Sequence, residues 1–292
     1  MDLKKQGTIH NISQNAPAFP GGLRQIPQPP SSLYFASDNW EDLMSRPRIA
    51  IVGSRRVTPY GQAITSQLAT ELAKAGIVVV SGLAYGIDSI AHRAVLEAGG
   101  LTIAVLAGGL DDIYPRSHQG LAAQIVRQGG ALISEYPEGT ESYKPHFIAR
   151  NRLVSGLSQA VLITEAADKS GTLHTATFAL EQGKDVLAVP GNITSPQSVG
   201  TNRLVKTGAT PVTCIEDVFR ALGLKSPAKL RRPHGGNPTE QAIIDLLAGG
   251  LEDGAALLEQ SQLEVTQFNQ ALTMLEISGK IRSLGANKWM LV

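Results

Sequence analysis

The sequence predicts a doubly wound α/β domain with a parallel sheet, followed by a small C-terminal domain in the element order of a winged helix. Short β-branched runs alternate with helical stretches from Arg48 to Val212, the pattern of strands covered by helices on both faces. Gly53, Gly82, Gly86, Gly108, Gly109, Gly171 and Gly191 fall at or just past the C-terminal ends of those runs, the edge at which open α/β sheets bind ligands. Beyond Pro238 the pattern changes to three helices and two short strands, which sets the second domain apart.

Taken in order, residues 1–31 are rich in Gly, Pro, Asn and Gln and are expected to lie extended on a neighbour, because such a segment buries too little apolar area to fold alone. Ser32–Ala36 reads as a short edge strand opening a domain that spans 32–221. Strands are expected at Arg48–Val52, Ile77–Val80, Leu101–Leu106, Ala131–Ser134, Ala160–Thr164, Val186–Val189 and Ala209–Val212. Helices fit Tyr60–Ala75, the stretch ending near Ala98, and His118–Arg127. Residues 222–237 carry Lys225, Lys229, Arg231 and Arg232 with no acidic residue, the composition of a basic linker. In the domain spanning 238–292, helices are expected at Thr239–Leu247, with Thr239 as its N-cap, at Gly254–Gln260 and at Val265–Ile277; strands follow at Lys280–Leu284 and Lys288–Val292. The third helix and its flanks carry two glutamates and one terminal lysine. Major-groove readers present Arg, Lys, Asn or Gln to base edges, so a packing or protein-contact role is expected here.

Composition narrows the function classes. Net charge is +1 and 42% of residues are hydrophobic, which excludes global disorder and histone-like basicity; any nucleic-acid site must be a local patch. Cys214 is the one cysteine, so neither an intrachain disulfide nor a cysteine zinc site is available, and a cytoplasmic home is the default. The N-terminal stretch lacks the apolar segment of a secretory signal, and no apolar run reaches membrane-spanning length, so a soluble protein with no membrane partner is expected.

The richest chemistry lies between Phe147 and Gly191. An Arg-bearing helix, a strand, the turn Lys169-Ser170-Gly171-Thr172, a second helix and a second strand follow one another. In a βαβ unit the loop after the first strand meets the N-terminus of the crossover helix, where unpaired amides and the positive dipole end favour an anion. Gly53, Ser54, Arg55 and Arg56 stand at the same sheet edge, and Arg150 and Arg152 precede the strand, after Lys144 and His146. Arginine holds phosphate bidentately and stacks on bases; alternatively, Arg150 or Arg152 forms a structural ion pair with Glu135 or Glu165. There is no Walker A pattern and no dinucleotide fingerprint, which disfavours P-loop hydrolysis and nicotinamide chemistry. Asp88 and His92, four apart on one helix, could be metal ligands or an acid–base pair, but a helix-dipole role explains Asp88 as well. Asp111 and Asp112 suit turn chemistry. His174 and Glu181 keep a general-base reading open. No catalytic residue, metal or cofactor is assigned.

These blocks carry a resemblance. GSRR at 53–56, SGLAYGIDSIAH at 81–92, GGLDDIYP at 108–115, FIARNRLVSGLS at 147–158, EAADKSGTLHTA at 165–176, AVPGN at 188–192 and GTNRLVKTGA at 200–209 resemble the DNA processing protein A family (DprA, also called Smf), as does the run-in from Phe19. The likeness covers about residues 19–220. It implies an extended Rossmann-like domain that binds single-stranded DNA in a basic pocket, dimerises, and loads RecA recombinase during natural transformation, without turnover. Carried over by motif, the DNA-binding residues would be Gly53, Ser54, Arg55, Arg56, Arg150, Arg152, Lys169, Ser170, Gly171 and Thr172. The tail resembles the family's winged-helix domain. The family's N-terminal helical domain is expected to be missing, since fewer than twenty residues precede the run-in. A rival likeness is to phosphoribohydrolases of nucleoside monophosphates, whose motif resembles Pro-Gly-Gly-x-Gly-Thr-x-x-Glu. Thr175 stands at the place of that glutamate, and Lys169 replaces a glycine, so binding without hydrolysis is expected.

Overall fold

A computed structural model describes residues 9–225 and 235–291. The chain divides into two compact units, Met1–Lys225 and Ser226–Val292.

In the first unit the elements run β1 (Ile9–Ser13), α1 (Gly21–Arg24), β2 (Ser32–Ala36), α2 (Trp40–Ser45), β3 (Arg48–Val52), α3 (Pro59–Lys74), β4 (Val78–Ser81), α4 (Ile87–Glu97), β5 (Thr102–Val105), α5 (Gln119–Arg127), β6 (Ala131–Ser134), α6 (Lys144–Gly156), β7 (Ala160–Ile163), α7 (Thr172–Glu181), β8 (Asp185–Ala188), α8 (Val199–Lys206), β9 (Thr210–Pro211) and α9 (Ile215–Ala221). The sheet order is β1-β2-β6-β5-β4-β3-β7-β8-β9. From β6 to β9 every pairing is parallel. The chain builds outward from β3 through β4, β5 and β6 on one side, then returns to lay β7, β8 and β9 on the other. The strand order therefore reverses between β3 and β7, and the crevice past their C-terminal ends is the topological switch point of a Rossmann-like sheet.

The central strands alternate as a pleat requires. Ala50, Val52, Val78, Val80, Val161 and Ile163 face one core, and Ile49, Ile51, Val79, Ala160 and Leu162 face the other. Both faces are covered, which is why these runs are apolar throughout.

Two expectations for the N-terminal part need correction. Residues 9–31 do not merely lie along a neighbour: they supply β1 and α1, and Phe19, Leu23 and Ile26 are buried in the main core. The Trp40 indole donates to Ala18 O at 3.2 Å, and Arg24 is bonded to the carbonyls of Gln14 and Ala16. Ser32–Ala36 is also not an edge strand; β2 pairs antiparallel with β1 on one side and β6 on the other. The sheet is thus mixed, a parallel body with an antiparallel two-stranded margin.

The second unit holds α10 (Pro238–Ala248), α11 (Gly254–Ser261), α12 (Val265–Ile277) and an antiparallel hairpin of β10 (Ile281–Gly285) and β11 (Lys288–Leu291). Ala286 and Asn287 make its turn with φ of 48° and 58°, as a tight hairpin demands. Ile243, Ile244, Leu257, Phe268, Leu275 and Ile281 form its core. The cap of α10 is Asn237, whose side chain accepts from Glu240 N at 2.8 Å, with Pro238 in the first turn; Thr239, the expected cap, already lies inside the helix. Asparagine before an N-terminal proline is the stronger start signal. Of the expected basic linker, Lys229, Arg231 and Arg232 lie outside the described residues. Among the described residues no helix is long and apolar enough to cross a membrane.

Candidate functional site

The loops after β3 and β7 are stitched together at the switch point. Ser54 N donates to Glu165 O at 2.8 Å, and Thr172 Oγ1 donates to Gly53 O at 2.8 Å. Gly53 must be glycine, since a Cβ there would strike the Ile87 side chain and Glu165 O. The Glu165 carboxylate, a possible ion-pair partner from the sequence, is instead buried and accepts from Thr58 N at 3.2 Å and from the Thr58 hydroxyl. Thr58 in turn caps α3.

The crevice is a trough of about 910 Å³ lined by residues from both loops, from α6 and from the start of α7. Gly53, Ser54, Arg55, Arg56, Arg150, Lys169, Ser170, Gly171 and Thr172 all border it, as does Lys144. Arg55, Arg56, Lys144 and Lys169 are exposed, and among the described residues none of them forms an ion pair. Asp88 is the one carboxylate bordering the trough among the described residues. Its Oδ2 accepts from Gly82 N at 3.1 Å and Ala84 N at 3.4 Å.

Arg150 lies beneath the rim, 4% exposed. It donates to Gly82 O at 2.5 Å, to Val105 O, and to Asn151 Oδ1 at 3.2 Å. A Cβ at position 82 would collide with this guanidinium, so the glycine of SGLAYG makes room for the arginine of FIARNR. Burial pushes the Arg150 pKa down to about 10, with Asp88 holding it up and Arg55 lowering it; the group stays charged at neutral pH. Burial raises the Asp88 carboxyl above its usual range, and Arg150 opposes that rise.

Arg152 is not part of the trough. It is buried, and Arg152 Nη2 is ion-paired with Glu135 Oε1 at 2.6 Å, the structural alternative open from the sequence. The amides at the start of α7 are less available than expected. Thr172 N donates to Ser170 Oγ at 3.3 Å, Leu173 N to Ser170 O at 3.1 Å and His174 N to Gly171 O at 3.3 Å. Positive charge in the trough is therefore carried mainly by side chains, with the dipole of α7 behind Lys169. Asp168 before that turn is held by Arg203 of α8.

Asp88 and His92 do not converge on a ligand. His92 is fully buried, with Nδ1 at 2.7 Å from Thr102 Oγ1, and burial, with His118 and Arg150 nearby, depresses its pKa to about 3. Asp111 and Asp112 accept from the amides of Gly139 and Ser142. His174 borders the trough and is exposed, Thr175 beside it is 2% exposed, and Glu181 sits exposed at the far end of α7. Tyr143 and Gln197 of the lining were not named from the sequence, and Lys144 was named only as a charge preceding Arg150. Lys144 had a signal, a Lys-Pro helix start one turn before Phe147; Tyr143 had none. Aromatic rings join the cations: Tyr114 meets Phe147 edge-on at 5.2 Å, and Arg55 lies 5.8 Å over the Phe147 ring.

A sheet whose switch point opens into a cation-rimmed trough places the protein among Rossmann-like α/β proteins. The chain belongs to the DNA recombination-mediator protein A family, whose model matches residues 10–223. It is 41% identical over 220 residues to the DNA processing protein DprA of Bacillus subtilis, covering 75% of this chain and 73% of that one. The crystal structure of DNA processing protein A from Streptococcus pneumoniae is similar with a TM-score of 0.68 and 38% identity, covering 75% of this chain and 76% of that one. The structure of DNA processing protein A from Helicobacter pylori, which concerns its single-stranded DNA binding mode, is similar with a TM-score of 0.66 and 35% identity, covering 74% and 96%.

Proposed function

We propose that this chain grips single-stranded DNA along the trough by its phosphates, without strong sequence preference and without turnover. In this reading it shields the strand and passes it to RecA recombinase during recombination and natural transformation, acting as a cytoplasmic homodimer. One observation carries the binding step: Arg55, Arg56, Lys144 and Lys169 ring one trough, exposed and without ion-pair partners among the described residues. Cations placed this way neutralise a phosphate chain, and the Phe147 and Tyr114 rings offer bases a sequence-tolerant surface. The single-stranded DNA binding mode described for the Helicobacter pylori relative supports the choice of ligand. The family's description as a recombination mediator supports the transfer to a recombinase.

Binding without hydrolysis is supported by the residues bordering the trough. Where a phosphoribohydrolase motif has its glutamate, Thr175 offers only a hydroxyl, and the Asp88 carboxylate is engaged by two backbone amides and Arg150. Fluorescence anisotropy with a labelled oligonucleotide tests the reading. The single strand binds more tightly than a duplex of the same length, and adding RecA yields a RecA-coated strand sooner than RecA alone does. Equal affinity for duplex, or no binding, overturns the ligand assignment; release of free base from a panel of nucleoside monophosphates overturns the absence of turnover.

A further inference from the structure

We propose that Tyr143 forms a second base-stacking platform where α6 begins, and that Asp112 is its positioning residue. This rests on the single-stranded DNA reading of the trough and extends it, because the group taken is a nucleobase and not another phosphate.

Tyr143 borders the trough beside Lys144 and is 55% exposed, although it is a large aromatic residue. Its ring is backed from within. The His146 ring lies 3.6 Å away, inclined at 52°, and His146 itself stacks on Tyr136 at 4.0 Å and 20°. A ring supported in this way presents a fixed flat face, and base–aromatic stacking tolerates any sequence because every base has a π-face.

The backbone beneath it is anchored on both sides. His146 N donates to Tyr143 O at 2.9 Å. On the other side Ser142 N donates to Asp112 Oδ2 at 2.8 Å, and Gly139 N donates to both oxygens of Asp111 at 3.0 Å. The two aspartates of GGLDDIYP thus fix the loop that delivers Tyr143 to the rim.

Phe147 sits one helical turn further on, about 6 Å along the axis. Stacked nucleotides rise about 3.4 Å along one strand, so neighbouring bases must be drawn apart to reach both rings. A single strand can do this and a duplex cannot without unpairing.

The test compares a labelled oligo-dT with a strand of equal length whose sugars lack bases, titrated against parent, Tyr143→Ala, Tyr143→Phe, Asp112→Ala and Lys169→Ala. Tyr143→Ala should weaken oligo-dT binding about tenfold and leave the abasic strand unchanged. Tyr143→Phe should behave as the parent, and Asp112→Ala should lose part of the same base-dependent increment. Lys169→Ala should weaken both strands. Equal losses on both strands for Tyr143→Ala, or no loss on either while Lys169→Ala is impaired, overturn the platform and leave the trough standing. If Lys169→Ala is unimpaired on both strands, the trough assignment fails and the platform with it.

Discussion

The rim and the floor of the trough both hold cations, yet those cations do different things. On the rim, Arg55, Arg56, Lys144 and Lys169 are exposed and lack ion-pair partners among the described residues. On the floor, Arg150 is buried against two carbonyls with Asp88 as its counter-charge. Rim charge is available to a ligand, whereas floor charge is already committed to the fold. Rim substitutions should therefore be read in affinity, and floor substitutions in stability.

The largest expected effect is on the floor. Arg150→Ala leaves a buried Asp88 without its cation and two carbonyls without a donor. Leaving the two buried carbonyls without their donor costs about 1 to 3 kcal/mol each, measurable as a drop in the midpoint of urea unfolding. Arg150→Lys should recover little of it, because an ammonium cannot reproduce the fork of bonds. If Arg150→Ala unfolds at the parent's midpoint, the floor is not structural and the contrast with the rim is broken.

On the rim the order of readouts reverses. Lys169→Ala or Arg55→Ala should weaken single-stranded DNA binding by about 1 to 3 kcal/mol, with the unfolding midpoint within error of the parent. Arg152→Ala sharpens the comparison, since its partner is Glu135 and not the trough; anisotropy should give the parent's affinity.

Arg150 and Arg152 also show where sequence reasoning stops. Residues two apart on a helix point about 200° from one another, so Arg150 turns to the trough while Arg152 turns away to Glu135. Lys144, Phe147, Ile148 and Asn151 do line it, at the three- and four-residue spacings of one helix face. The strands and the switch-point loops were legible because β-branched runs and glycine turns are local signals. The N-terminal margin was not: Phe19, Leu23 and Ile26 stand four and three apart, but Pro20, Gly21 and Gly22 between the first two mask that helical spacing. They are single anchors on a surface that only the assembled sheet provides. The availability of the α7 amides was equally hidden, because it depends on how the Ser170 turn closes.

Stability should also depend on pH through His92, which is buried and does not line the trough. His92 holds its folded pKa at about 3 against an ordinary value of 6.5. Below pH 6.5 the unfolded chain therefore binds a proton that the folded chain refuses, so the His92 contribution is fully present above 6.5 and is lost as the pH falls towards 3. Between pH 6.5 and 5 the loss is about 2 kcal/mol, at about 1.4 kcal/mol per pH unit. Urea unfolding at the two pH values checks this, with His92→Gln giving a shallower dependence. An unchanged slope in that variant would move the acid sensitivity elsewhere.

The smallest effect is a slope. Each phosphate neutralised by the rim adds about −0.7 to the dependence of log affinity on log salt for a single strand. Removing one rim cation should therefore make the slope shallower by about 0.7, whereas Arg152→Ala should not change it. The slope isolates charge contact from stacking, because releasing counterions requires a cation at a phosphate and a ring on a base releases none. Anisotropy titrations across a salt series would thus show Lys169→Ala altering both affinity and slope, and Tyr143→Ala altering affinity alone. A shallower slope for Tyr143→Ala would mean that the ring acts by holding Lys144 against the strand, making the loop part of the cationic rim.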